Sequence, residues 1–196
     1  MAHIHHTTMT PSKLELLESW LPRQPWYSGS GRVPLLAKVG GFRLDDPAGE
    51  VGLEFMIVRD DATGAAYGVP MAYRGAPVAG GALIGTSEHG VLGTRWLYDG
   101  AADPVFEEQL RALARGEVQA QDQSVSDLPD PTVEVSGELG VGARLVVARR
   151  LQPGEGRGVV ATWEDSGGRR VRGPVALVAT RASGAADEAP RSQPGN

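Results

Sequence analysis

Residues 49–60 read GEVGLEFMIVRD and residues 65–75 read AAYGVPMAYRG, and their pairing decides the fold. In the first stretch Val51, Leu53, Phe55 and Ile57 fall on one face of an extended chain, with Glu50, Gly52 and Glu54 on the other. That period of two marks a half-buried antiparallel strand, with the glutamates on a solvated outer face. The second stretch repeats the pattern with Tyr67, Val69, Met71 and Tyr73 inward. Pro70 on its opposite face predicts an edge strand or a bulge, because proline donates nothing to a ladder. The intervening DDATG, residues 60–64, is rich in turn formers, so the two stretches predict a β-hairpin.

Working outward, residues 11–21 predict a helix. Leu14, Leu17 and Leu21 recur on one face, Pro11 sits at its start, and Ser12 followed by Glu15 has the spacing of a capping box. PLLAKVGGFRL, residues 34–44, predicts a strand interrupted by Gly40 and Gly41, and GALIGT, residues 81–86, a short one. Asp103 before Pro104 predicts the cap and first turn of a second helix, whose Phe106, Leu110 and Leu113 are buried until Gly116 ends it. Residues 117–131 are a polar linker by composition. Strands are expected at about 132–136, 143–151, 157–164 and 170–180, with DSGG at 165–168 as a hairpin turn. From 182 to 196 the composition has nothing to bury, which predicts a disordered tail. The fold class is therefore α+β: an antiparallel sheet packed on one or two helices in residues 1–116, the linker 117–131, and a small antiparallel β subdomain in 132–181.

Composition narrows the function. The 196 residues carry a formal charge of -5, and residues 1–131 hold ten basic against seventeen acidic side chains. No basic stripe is present, so nucleic acid is not an expected partner. There is no cysteine, hence no disulfide framework and no thiolate metal site or nucleophile. No run approaches the eighteen apolar residues of a spanning helix, and MAHIHHTTMT lacks the build of a secretory signal, so no membrane partner and a cytoplasmic location are expected.

Five patterns invite a chemical reading. GTSEHGVLGTRWLYDG, residues 85–100, brings Ser87, Glu88, His89, Arg95 and Asp99 together, yet a nucleophile needs a base oriented by a third group, and the stretch lacks the strand-turn-helix elbow. A turn followed by a packed RWLYDG is expected instead. His3, His5 and His6 in HIHH lack a carboxylate or fourth ligand, so no metal is expected. SGSGR, residues 28–32, and GELGVGARL, residues 137–145, are glycine-rich without the strand-to-helix context that cradles phosphate. Trp20, Trp26 and Tyr27 offer flat faces to a sugar, against which stands the core's need for large apolar groups. Glu50 with Glu54, and Asp45 with Asp46, are paired carboxylates expected on outer surfaces rather than in a cleft.

Taken together, LELLESWLPRQPWYSGSGR at 14–32, the EVGLEFMIV and YGVPMAYRG hairpin, and LIGTSEHGVLGTRWLYDGAADPVF at 83–106 resemble the N-terminal cap domain of actinobacterial maltokinases and related aminosugar kinases. The resemblance covers roughly residues 9–116. It implies a cystatin-like cap, a curved antiparallel sheet packed on one or two helices, which in those kinases precedes an ATP-binding region and a helical catalytic lobe. Pro25 and Ser30 depart from a more basic QRWF-GKGR run in that pattern. A kinase needs a strand lysine for the nucleotide, a catalytic Asp and a magnesium-holding Asn and Asp, whereas the only lysines here are Lys13 and Lys38 and the only asparagine is Asn196. Arg144, Arg149 and Arg150 read as solvent-face charges of a strand pair, or as imitations of a phosphate-binding cation.

These readings predict a non-catalytic accessory or regulatory protein linked to α-glucan, trehalose or maltose-phosphate metabolism, without a cofactor, acting on a protein partner such as a sugar kinase or glucan enzyme. The alternatives are a binding module for maltodextrin-type glucans and an enzyme of glucan processing or sugar phosphorylation. Interaction or sugar contact would fall on Trp26, Tyr27, Arg32, His89 and Arg95.

Overall fold

A computed structural model describes residues 9–29, 31–123, 128–138, 140 and 143–179. The histidine run at 3–6, the middle of the expected linker and the tail at 182–196 lie outside the described residues. The chain runs β1 (Met9–Thr10), α1 (Lys13–Trp20), a 3-10 turn (Leu21–Arg23), β2 (Leu36–Leu44), β3 (Gly52–Asp60), β4 (Ala65–Arg74), β5 (Leu83–His89) and β6 (Gly93–Asp99). A second 3-10 turn (Gly100–Ala102) and α2 (Pro104–Ala114) follow, then β7 (Glu134–Ser136), β8 (Arg144–Val147), β9 (Arg150–Leu151), β10 (Gly158–Glu164) and β11 (Arg170–Ala179).

Local signals set the helix ends. Ser12 accepts from the Glu15 amide while the Glu15 carboxylate accepts from the Ser12 amide, the reciprocal capping box read from the sequence. Asp103 accepts from the amides of Val105 and Phe106 at 2.9 and 3.2 Å, and Pro104 occupies the first turn, where its missing N–H costs nothing.

Among the described residues the strands form one antiparallel sheet in the order β1-β5-β6-β4-β3-β2-β10-β11-β8, with β7 beside β10 and β9 beside β4. This is the expected α+β arrangement of a curved antiparallel sheet with two helices. The expected hairpin is present, with Asp60 opposite Ala65 and Phe55 opposite Pro70.

The half-buried reading of that hairpin is corrected. Val51, Leu53, Phe55 and Ile57 do share a face, packed with Phe106, Leu110 and Leu113 of α2. Tyr67, Val69 and Met71 also share a face, but it is the opposite one, covered by Leu17, Trp20 and Leu21. The cause is a helix on each side of the sheet. The run Phe55–Met56–Ile57–Val58, apolar at every position and buried throughout, is the mark of a strand covered on both faces.

Pro70 is likewise not on an edge strand, since β4 lies between β3 and β6. The Gly68 amide points away from β3 to donate to the Arg149 carbonyl at 3.0 Å, so the nitrogen of Pro70, two residues on, faces that same side. There β9 has paired with Ala66 and Tyr67 and β6 begins only at Met71, so Pro70 falls in the gap between two ladders.

The strands of residues 134–179 meet the earlier ones in one core. Val159, Ala161, Trp163, Val175 and Ala176 pack with Phe42, Phe55 and Phe106. Contact is made where side chains are missing. β10 meets β2 at Trp163 opposite Gly40, and a Cβ on Gly40 would stand 2.8 Å from the Thr162 carbonyl oxygen. A Cβ on Gly68 would stand 2.6 Å from the Ala148 carbonyl oxygen, so this glycine admits the segment that carries β9.

Candidate functional site

The sequence-predicted residues do not converge on one site. Ser87 and His89 lie on β5, which pairs with β6 across the expected turn, and Leu97 and Tyr98 of RWLYDG are buried. The Ser87 hydroxyl is buried and donates to the Pro11 carbonyl at 2.6 Å, which ties β5 to the entry of α1. His89 Nδ1 accepts from the amides of Val91 and Leu92 at 3.3 and 3.2 Å, closing its own turn. Hydroxyl and imidazole are thus each committed to backbone. Arg95 stands opposite Ser87 in the β5–β6 register. Arg32 is exposed on the approach to β2.

Trp26 and Tyr27 do come together, with side chains from distant elements. The Trp26 ring packs edge-on against Trp20 at 5.7 Å and tilted against Tyr67 at 6.1 Å, and the Arg149 guanidinium lies over it at 4.9 Å. Tyr27 tilts against Tyr67 at 5.3 Å and donates its hydroxyl to Asp60 at 2.9 Å. Burial and the Asp60 carboxylate push the Tyr27 phenol up to about 12, since both disfavour the phenolate. Both rings are half-buried, and one face of Trp26 is taken by a cation, an arrangement that serves packing more than the open platform a sugar would need.

Arg149 is misread from sequence as a solvent-face charge. It ion-pairs with Asp99 and stacks on Trp26, and its side chain is largely buried. Asp99 also accepts from the Ala101 amide at 3.1 Å, and Asp103 receives a bidentate grip from Arg74 at 2.7 and 3.0 Å while capping α2. Both aspartates of the YDG-x-x-DP stretch therefore cap a turn or helix and hold an arginine distant in sequence, Arg149 and Arg74. Gly100 between them fits because a Cβ there would meet the Phe106 ring at 2.9 Å.

The second cluster centres on Glu54, which sequence reasoning placed on a solvated face. It is only 5% exposed. Its carboxylate accepts from the Lys13 ammonium at 2.5 Å, the Tyr73 hydroxyl at 2.6 Å and the Gln123 amide at 2.9 Å. Burial alone would raise the Glu54 pKa. The Lys13 ammonium, the Tyr73 hydroxyl and the further positive charge of Lys38 outweigh it and hold the carboxyl below its ordinary value. The Tyr73 phenol is driven well up by burial and by the adjacent carboxylate. Both lysines of the chain thus act on one carboxylate, a convergence of residues 13, 38 and 54 that no local spacing announces. The arrangement carries positive charge around a satisfied carboxylate, and the other paired carboxylates are structural too. Asp46 accepts from the amides of Ala48, Glu50 and Val51, Asp45 from the Gln121 amide at 2.6 Å, and Glu50 is exposed.

Among the described residues no group of three or more His, Asp or Glu side chains is placed to hold a metal ion, and no helix is long and apolar enough to cross a membrane. The described part of GELGVGARL joins β7 to β8, strand to strand.

No curated protein and no solved structure matches the chain. The family model of the maltokinase N-terminal cap domain matches residues 20–103, from the last residue of α1 through the hairpins to the aspartate that caps α2. Residues 20–103 of this chain are therefore similar to the maltokinase N-terminal cap domain.

Proposed function

We propose that the protein is a non-catalytic accessory module of maltose and α-glucan metabolism, which works by contact with a partner protein, a sugar kinase or a glucan-processing enzyme. The observation that carries this reading is the cap-domain match over residues 20–103. Two geometric facts support it. The Ser87 hydroxyl and the His89 imidazole are each held by backbone, and the Glu54 carboxylate is held in place by three donors. The aromatic cluster at Trp26 is filled by protein groups, which weighs against the sugar-binding alternative.

The test has two arms. The purified chain is incubated with ATP and maltose or glucosamine, and no phosphosugar is expected; transfer of phosphate by this chain refutes the reading. In parallel it is mixed with a purified maltokinase from the same host and run on size exclusion, where co-elution is expected. Trp26→Ala serves the alternative: a saturable shift of tryptophan fluorescence by maltodextrin, lost in that variant, would make the protein a sugar-binding module.

A further inference from the structure

A cavity of about 270 Å³ opens between α2 and β8, at the seam where the cap meets the C-terminal strands. Phe106 and Leu110 of α2 form one apolar wall, and Leu145 and Val147 of β8 face them. Two cations complete the lining. Arg144 is exposed at the mouth and makes no hydrogen bond or ion pair with a described residue. Arg149 is fixed on Trp26 and bound to Asp99 through Nη2, yet its buried Nη1 has no acceptor among the described residues. Glu107 also lines the space, but it is ion-paired along the helix with Arg111.

We infer that this cavity binds a compact carboxylate with an apolar body, its anionic end held by Arg144 and Arg149 and its body packed between α2 and β8. Three physical points lead there. A buried guanidinium nitrogen without an acceptor costs free energy that a ligand oxygen recovers. A guanidinium already pinned by a ring and a carboxylate loses little freedom when it takes another oxygen, so it is preorganised for the contact. Size sets the class of body. An apolar cavity of about 150 Å³ holds one benzene ring, so this one holds a ring or branched chain together with a carboxylate. A long sugar chain does not fit, which separates this site from any glucan contact and from the partner surface of the accessory reading. The inference concerns this cavity alone and does not depend on that reading.

Benzoate and cyclohexanecarboxylate are the probes, benzamide and inorganic phosphate the controls, and the readouts are amide shifts of the full chain by NMR and thermal unfolding. Saturable shifts confined to α2 and β8 are expected with either carboxylate. Arg144→Ala, a surface change that leaves the fold intact, weakens binding about tenfold, as the loss of one charge-assisted hydrogen bond does. Asp99→Asn with Arg149→Met removes the buried pair together, keeps an acceptor for the Ala101 amide, and abolishes saturation. Leu145→Trp fills the space and does the same, with the folded state of each variant checked by its amide spectrum. Absence of saturable shifts with both carboxylates overturns the inference. So does unchanged binding in folded Leu145→Trp, and so does benzamide or phosphate binding as tightly as benzoate, since the first would dispense with the cations and the second with the apolar walls.

Discussion

Replacing Glu54 by alanine tests whether the buried carboxylate organises the side of the sheet that faces α1. The change removes the acceptor shared by Lys13, Tyr73 and Gln123. Lys13 is a third exposed and can rehydrate, so the loss of its ion pair counts for little once solvent screening is allowed for. The Tyr73 hydroxyl and the Gln123 amide lose a strong acceptor in a poorly hydrated place, each costing about 1–3 kcal/mol if left unpaired. With the two stranded donors together, a loss of about 2–6 kcal/mol is expected for Glu54→Ala in urea unfolding at pH 7. Glu54→Leu combined with Tyr73→Phe removes donor and acceptor together and is expected to recover about half of the loss. The pH dependence follows from the lowered Glu54 pKa. Its stabilisation is present above the ordinary carboxylate value and is lost as pH falls through the folded one, so the gap between wild type and Glu54→Gln narrows below about pH 4. A Glu54→Ala protein within 1 kcal/mol of wild type at pH 7, or a gap that widens on acidification, would refute the assignment of Glu54 as a buried, satisfied anion.

The phenols give the alkaline counterpart: with Tyr27 at about 12 and Tyr73 well above the usual value, both contribute stability below pH 10 that is lost as pH rises through the folded values. Absorbance titration at alkaline pH should therefore lose its latest-ionising steps in Tyr27→Phe and Tyr73→Phe. Gly40→Val places side-chain carbon against the Thr162 carbonyl, and a destabilisation of about 2–3 kcal/mol with loss of β10 amide protection in hydrogen exchange is expected. Trp163→Ala opens the shared core and should cost about 3–5 kcal/mol in urea unfolding. His89→Ala removes the acceptor that closes its own turn at a half-buried position, so a change of about 1 kcal/mol and unaltered binding of any partner are expected in unfolding and size-exclusion runs.

What the sequence determined by itself is local. The Ser12–Glu15 box, the Asp103–Pro104 start, the turn at 60–64 and the two alternating strands are written in contiguous residues, because caps, turns and pleats satisfy backbone groups within a few positions. The cap-domain resemblance was legible for the same reason, as short motifs in order along residues 20–103. Only the tertiary structure decided which face each pattern serves. Period two states that one face of a strand is apolar, and it cannot tell that a helix will cover the other, so Glu54 was placed in water when it is buried. Nor could spacing bring Arg149 to Trp26 and Asp99, or Lys13 and Lys38 to Glu54. The first arises where the segment carrying β9 closes on β4 at Gly68, and the second where α1 lies over β3; a glycine in a strand reads in sequence as an interruption, while in the fold it is the space that lets a distant backbone approach.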